Sequence, residues 1–178
     1  MHKMIKLCWQ NYNEIKDQLS IVEKDWLFDK GSLTKRLIEL SQNAFSLEIL
    51  SEKKQFLRED EYTILNISSL QQAWVREVIL KGNDTPWVYA RSIILSDSIK
   101  ENDPETLKNI GKQPLGSMLF NRGSFNRSII EVTRYPKEII SLEYIHTYLW
   151  ARRSCFKSNT QTILVQEIFL PEFWKANL

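Results

Sequence analysis

Apolar residues recur along this chain in two different periods, and the changes from one to the other divide it into elements. Over residues 11–28, Ile15, Leu19, Val22 and Trp26 stand three or four apart, the spacing of one helical face. Gly31 then breaks the chain, and Ser32 or Thr34 is placed to cap a second helix running to about Gln42, with Leu33, Leu37 and Leu40 on one side. At Phe45 the period falls to two: Phe45, Leu47 and Ile49 alternate with polar residues, which predicts a half-buried strand. Further strands are predicted at about 56–66, 73–80, 87–95 and 126–135, and a hairpin with strands near 147–157 and 161–170 turns at Lys157-Ser158-Asn159-Thr160. Residues 103–121 have helical character interrupted by Gly111 and Pro114, so two short helices with a turn between them are expected. Strands in consecutive hairpins with segregated helices predict an α+β fold built on a mostly antiparallel sheet.

Composition narrows the possibilities further. At 178 residues, with 43% hydrophobic and 26% charged side chains, the chain is of ordinary globular make-up and the length of one domain, and disordered, collagenous and coiled-coil classes are excluded. No repeat or linker divides it, so a single domain over residues 1–178 is expected. A formal net charge of +2 offers no general reason for a nucleic-acid or membrane-surface partner. The N-terminus has no apolar run of a targeting signal, and no stretch is long enough to span a bilayer, so a cytoplasmic protein without an integral membrane segment is expected. Cys8, Cys155, His2 and His146 are too few and too scattered for a standard zinc site or a disulfide framework, and no metal is expected. His146, between Ile145 and Thr147, reads as structural. The run Gly111-Lys112-Gln113-Pro114-Leu115-Gly116-Ser117 fails as a phosphate loop because its second glycine is not followed by Lys-Ser or Lys-Thr.

The informative signal is where charges interrupt the strand patterns. In Trp74-Val75-Arg76-Glu77-Val78-Ile79-Leu80, alternation puts Arg76 on the face of Trp74, Val78 and Leu80. In the 87–95 strand it puts Arg91 with Trp87, Tyr89, Ile93 and Leu95. A hairpin with Leu80 opposite Trp87 would set Val78 against Tyr89 and Arg76 against Arg91. Facing guanidinium groups repel, and carboxylates from the protein or a ligand would resolve the conflict, since Arg matches a carboxylate with paired hydrogen bonds. In the last strand, Glu167 shares its face with Ile163, Val165 and Phe169 and needs an Arg, a hydrogen-bond donor or a raised pKa. A structural ion pair, for instance Arg91 with Glu167, accounts for any one of these charges; all of them together point to a closed polar pocket in the sheet. Arg152 and Arg153 fall on opposite faces of their strand and are expected to be structural.

Several segments, in order, resemble the chorismate pyruvate-lyase family: Asp29-Lys30-Gly31-Ser32-Leu33-Thr34-Lys35-Arg36, Trp74 through Leu80, Pro86-Trp87 with Arg91 after it, Pro114-Leu115-Gly116 through Leu119-Phe120, Trp150-Ala151-Arg152-Arg153-Ser154, and Glu167-Ile168-Phe169-Leu170-Pro171. The resemblance covers about Asp25 to Pro171. It implies a cofactor-free bacterial enzyme converting chorismate to 4-hydroxybenzoate and pyruvate at the entry to ubiquinone biosynthesis, on an antiparallel sheet whose internal ligand site is covered by helical flaps. It further implies that Arg76 holds the ring carboxylate with help from the backbone amides of Leu33 and Leu115, that Glu167 hydrogen-bonds the ring 4-oxygen, and that Arg91 serves the enolpyruvyl carboxylate. Residues 103–121 are then expected to form the flap, while the segment between about Tyr135 and Tyr148 is longer than the family pattern. The partners expected are chorismate and 4-hydroxybenzoate, with the chain acting as a monomer. Two other readings stand beside it: a non-catalytic sensor of small acids with the fold of bacterial regulator effector domains, and an acid carrier anchored by the arginine pair. No DNA-binding helix-turn-helix segment is expected ahead of the matching region.

Overall fold

The computed structural model describes residues 6–96, 115–120, 125–136 and 148–177. The chain starts with helix α1 (Tyr12–Ile15), a 3-10 turn (Lys16–Gln18), α2 (Ile21–Leu27) and α3 (Leu33–Leu40). Strand β1 (Phe45–Phe56) and helix α4 (Glu59–Leu65) precede the hairpin of β2 (Gln72–Gly82) and β3 (Thr85–Ser96). Helix α5 (Leu115–Phe120), β4 (Asn126–Arg127), β5 (Glu131–Pro136), β6 (Tyr148–Lys157), β7 (Gln161–Phe169) and α6 (Pro171–Ala176) complete the described elements. The strands form a seven-stranded sheet in the order β1-β2-β3-β7-β6-β4, with β5 also pairing β6. Every pairing is antiparallel, which agrees with the α+β expectation.

The departures from the expected elements have local causes. The apolar stripe of residues 11–28 is not one helix: Ser20 and Glu23 form a capping box, each side chain bonding the other's backbone N–H, and start a new helix at Ile21. Residues 59–65 are a helix instead of a continuation of strand 56–66. Its first turn carries Glu59, Asp60 and Glu61, which suit a helix N-terminus, and the Glu61 carboxylate accepts from the Arg58 backbone N–H at 2.9 Å. Strand β1 instead continues through the polar run to Phe56, with an irregularity between Ile49 and Ser51. The expected 126–135 strand is split into β4 and β5. Residues 103–114, residue 121 and His146 lie outside the described residues, as does the inserted segment beyond Pro136.

The β2–β3 hairpin decides which charges share a face. Asn83 and Asp84, both with positive φ, form the two-residue turn favoured by hairpin twist, and Gly82 pairs with Thr85. Trp87 then bulges out of the ladder, so Leu80 pairs with Val88 and not with Trp87. Gly82 makes the bulge possible, because the Trp87 ring lies where a Cβ on residue 82 would come within 2.2 Å of it. From that point Arg76 pairs with Ser92, and Arg91 pairs with Glu77. One face of the sheet carries Val78, Leu80, Val88, Ala90 and Phe169 against Trp26, Leu27, Leu33, Leu37 and Phe173. The opposite face carries Val75, Ile93, Cys155 and Leu164 against Leu57 and the apolar side of α4.

Candidate active site

Beneath α3 and α5, on the first of these faces, the sheet encloses a chamber. Strand alternation brings Arg76 of β2, Ser92 of β3, Glu167 of β7 and Arg152 of β6 to its floor, and Arg127 of β4 joins them from the next strand. Val78, Leu80, Val165 and Phe156 supply apolar wall. Leu33 and Leu115, the first residues of α3 and α5, close the roof. Both backbone N–H groups therefore belong to the set that a helix leaves without an intrahelical acceptor. Gly116 lets the roof shut: a Cβ there would lie 3.1 Å from Ser32 Oγ and 3.2 Å from Thr34 Oγ1, at the start of α3. The chamber has a cavity volume of about 50 Å³.

The lining is cationic. Among the described residues that line the chamber, three carry guanidiniums, Arg76, Arg127 and Arg152, and one a carboxylate, Glu167. Arg76 is 2% exposed, and burial pushes its guanidinium below its ordinary pKa, with Glu52 opposing the shift. Arg152 Nε donates to Glu167 Oε2 at 2.5 Å, and its Nη1 donates to the carbonyls of Trp26 at 2.8 Å and Asp29 at 3.1 Å. Glu167 is thereby tied through one guanidinium to the end of α2 and the loop after it. Arg127 Nε donates to Ser154 Oγ and its Nη1 to the Lys30 carbonyl, each at 2.9 Å.

Arg76, Glu167, Leu33 and Leu115 thus come to one chamber. Arg91 does not, and its expected place beside Arg76 is corrected. The Trp87 bulge shifts the register by one residue, and one residue is enough to send a strand side chain to the other face. There Arg91 Nε and Nη2 donate to Glu61 Oε1 at 2.6 Å and Oε2 at 3.0 Å, and Nη1 donates to Glu77 Oε1 at 2.9 Å. Burial alone would lower the Arg91 pKa, but the Glu61 hydrogen bonds and charge outweigh it and hold it above its ordinary value. Tyr89 donates to the same Glu77 carboxylate. Arg153 is structural as expected, on that same face, bonded to Glu131 at 2.9 Å. Arg152 is not confined to that role, since it lines the chamber. Its alternation with Trp150 and Phe156 was the signal for this, whereas Arg127 has no local signal: only the pairing of Arg127 with Phe156 places it.

Among the described residues no group of His, Cys, Asp and Glu side chains is arranged to hold a metal ion, and no helix is long and apolar enough to cross a membrane.

Comparison with solved structures shows the sheet architecture elsewhere. The chain is similar to the effector domain of PhnF from Mycobacterium smegmatis, with a TM-score of 0.56 and 9% identity over 80% of this chain and 90% of that one. It is also similar to a GntR-family transcriptional regulator from Bacillus cereus, with a TM-score of 0.54 and 12% identity over 72% of this chain and 93% of that one. At such identities the likeness shows the fold alone. Sequence similarity is much closer to a different group. A probable chorismate pyruvate-lyase 2 of Pseudomonas entomophila (strain L48) is 41% identical over 170 residues, covering 96% of this chain and 91% of the relative. A probable chorismate pyruvate-lyase of Pseudomonas aeruginosa (strain UCBPP-PA14) is 44% identical over 161 residues, covering 89% and 90%. The profile of the family described as chorismate lyase matches residues 4–178, essentially the whole chain, and the protein therefore belongs to the chorismate lyase family.

Proposed function

We propose that this lyase converts chorismate to 4-hydroxybenzoate and pyruvate, the entry step to ubiquinone, on residues of the chamber alone. The observation that carries the reading is that Arg76 and Glu167, on the strands either side of β3, line one pocket rich in arginine under α3 and α5. Chorismate is a dianion with a carboxylate on the ring and another on the enolpyruvyl ether arm. The reaction breaks the ring C3–O bond and removes the C4 proton, so that the ring becomes aromatic. The departing enolpyruvate takes a proton on its methylene carbon and becomes pyruvate.

Aromatisation supplies the driving force, and the protein's part is to hold the reactive conformer and stabilise charge as the C–O bond breaks. Arg76 binds the ring carboxylate, and the N–H groups of Leu33 and Leu115 add donors to it from the roof. Glu167 accepts from the ring 4-hydroxyl. Its Oε2 is engaged by Arg152, which leaves Oε1 for substrate and fixes where that oxygen points.

The test is to incubate purified protein with chorismate in EDTA and follow 4-hydroxybenzoate and pyruvate, which should appear in equal amounts. Arg76→Ala and Glu167→Ala should each cut activity by orders of magnitude in proteins that remain folded. Near wild-type rates in both variants would overturn the site assignment. Tight 4-hydroxybenzoate binding with no turnover by the wild-type protein would instead favour a small-acid sensor.

A further inference from the structure

We infer that Arg127 is the specificity residue of this chamber, receiving the carboxylate of the substrate's enolpyruvyl arm. The inference rests on the chorismate reading above and assigns the arm's binding partner, a place that the register of β2 and β3 denies to Arg91.

The order of charged groups across the sheet carries the argument. Arg76 stands on β2, Glu167 two strands away on β7, Arg152 on β6 and Arg127 on β4 beyond it. Strands lie ~4.8 Å apart, so Glu167 stands two strands, roughly 10 Å across the sheet, from both Arg76 and Arg127, with Arg127 further along the strands at the level of Ile163. Chorismate has the same order: ring carboxylate, then the 4-oxygen at the far end of the ring, then the ether arm on the carbon next to it. With the ring carboxylate on Arg76 and the 4-oxygen on Glu167, the arm starts beside Glu167 and its carboxylate extends to the β4 side. Arg127 is the guanidinium there.

Its surroundings fit an anion receptor. Among the described residues Arg127 makes no ion pair, whereas Arg152 makes one and Arg91 and Arg153 make two apiece. A guanidinium has five N–H donors; the bonds to Ser154 and the Lys30 carbonyl use Nε–H and one Nη1–H, and the others remain for a carboxylate. The same bonds, with the rings of Phe156 at 5.1 Å and Phe120 at 5.7 Å, hold the group in place before a ligand arrives. Arg152 also lines the chamber and repels it, a conflict that an incoming anion relieves.

The experiment compares two stable ring acids on the wild-type protein. One is 3-(carboxymethoxy)-4-hydroxybenzoate, which has an acidic ether arm, and the other is 3-methoxy-4-hydroxybenzoate, which has a neutral one. Wild-type protein should bind the acidic-arm compound at least ~10-fold more tightly, as expected of a charge-assisted contact away from bulk water. In Arg127→Gln that preference should vanish and KM for chorismate should rise ~10- to 100-fold, with 4-hydroxybenzoate affinity held within about twofold. Arg127→Lys should restore part of the preference. Absence of a preference in the wild type overturns the inference whether or not the variants fold. A parallel loss of 4-hydroxybenzoate binding in Arg127→Gln also overturns it, since that marks a residue that only shapes the chamber. Chorismate turnover by the wild type separates the two claims: none refutes the proposed reaction, and turnover without the arm preference refutes only the role of Arg127.

Discussion

Arg91→Ala separates the two sides of the sheet in one variant. In the structure this guanidinium is 2% exposed and bonds both oxygens of Glu61, whose side chain is fully buried, as well as Glu77. Truncating it strands the Glu61 carboxylate in the interior. Removing one partner of a buried pair costs ~3–5 kcal/mol, a large part of the ~5–15 kcal/mol by which a domain is stable. For a chain of this length each kcal/mol moves the midpoint by ~2–4 °C, so thermal unfolding should shift down by roughly 6–20 °C. The chamber lies on the other face, and kcat/KM for chorismate per folded molecule, measured well below the transition, should stay within about threefold of wild type. Replacing Arg91 and its fully buried partner with apolar residues, Arg91→Met together with Glu61→Leu, should recover part of the lost stability, because the stranded interior carboxylate is gone and only the partly exposed Glu77 loses its guanidinium. An Arg91→Ala protein that melts at the wild-type temperature but no longer binds chorismate would refute both the bulge at Trp87 and the separation of the two faces.

Other outcomes follow from single contacts. Gly82→Ala places a methyl against the Trp87 ring and should cost ~1–3 kcal/mol in urea unfolding, with a change in tryptophan fluorescence as the ring is displaced. Glu77 is held below its ordinary carboxyl pKa of 4.5: burial opposes ionisation, but the Tyr89 hydrogen bond and the Arg91 charge outweigh it. A depressed carboxyl stabilises the fold above 4.5 and stops doing so as pH falls through its lower folded value, so Glu77→Gln should show a flatter loss of stability in acid than wild type. Arg152→Met releases Glu167 from its one ion-pair partner among the described residues, and kcat/KM should fall ~10- to 100-fold, with partial rescue by Arg152→Lys. Since α3 and α5 close the chamber, product exit requires the roof to open, and a pre-steady-state burst of product matching the enzyme concentration should precede the slower steady rate.

How much of this was legible in the sequence depended on how far each residue's position is set by its neighbours. Arg76 and Glu167 were legible because each lies in an unbroken alternation of apolar residues, and alternation alone assigns a face. Arg91 lies in an equally clear alternation, but its relation to Arg76 depends on the bulge at Trp87, and that bulge is set by an aromatic ring packing over Gly82. Helix α4 was hidden because Leu57, Tyr62 and Ile64 suit a strand as well as a helix. The acidic residues 59–61 were the signal that a helix begins there. The Ser20–Glu23 box was a similar local signal inside a convincing helical stripe. Arg127 was beyond reach of any local pattern, since β4 is two residues long and its place comes from pairing with a strand almost thirty positions later.

The two faces of this sheet bury guanidinium groups by opposite means, and the difference bears on catalysis. Behind the sheet, Arg91 is matched by the carboxylates of Glu61 and Glu77 and Arg153 by those of Asp60 and Glu131, so each guanidinium there has protein carboxylates beside it. Among the described residues that line the chamber there are three guanidiniums and one carboxylate, that of Glu167, so this lining carries more positive than negative charge. That excess opposes folding and is offset when a dianion enters, which predicts that substrate-like dicarboxylates raise the melting temperature more than monocarboxylates of the same ring at equal saturation. As the C–O bond of the proposed reaction breaks, negative charge grows on the arm's ether oxygen, next to the carboxylate that Arg127 holds. Donors fixed in advance at that end of the chamber favour the transition state over the bound substrate, and a protein with few of the usual catalytic side chains needs little more than this to accelerate an elimination whose product is aromatic.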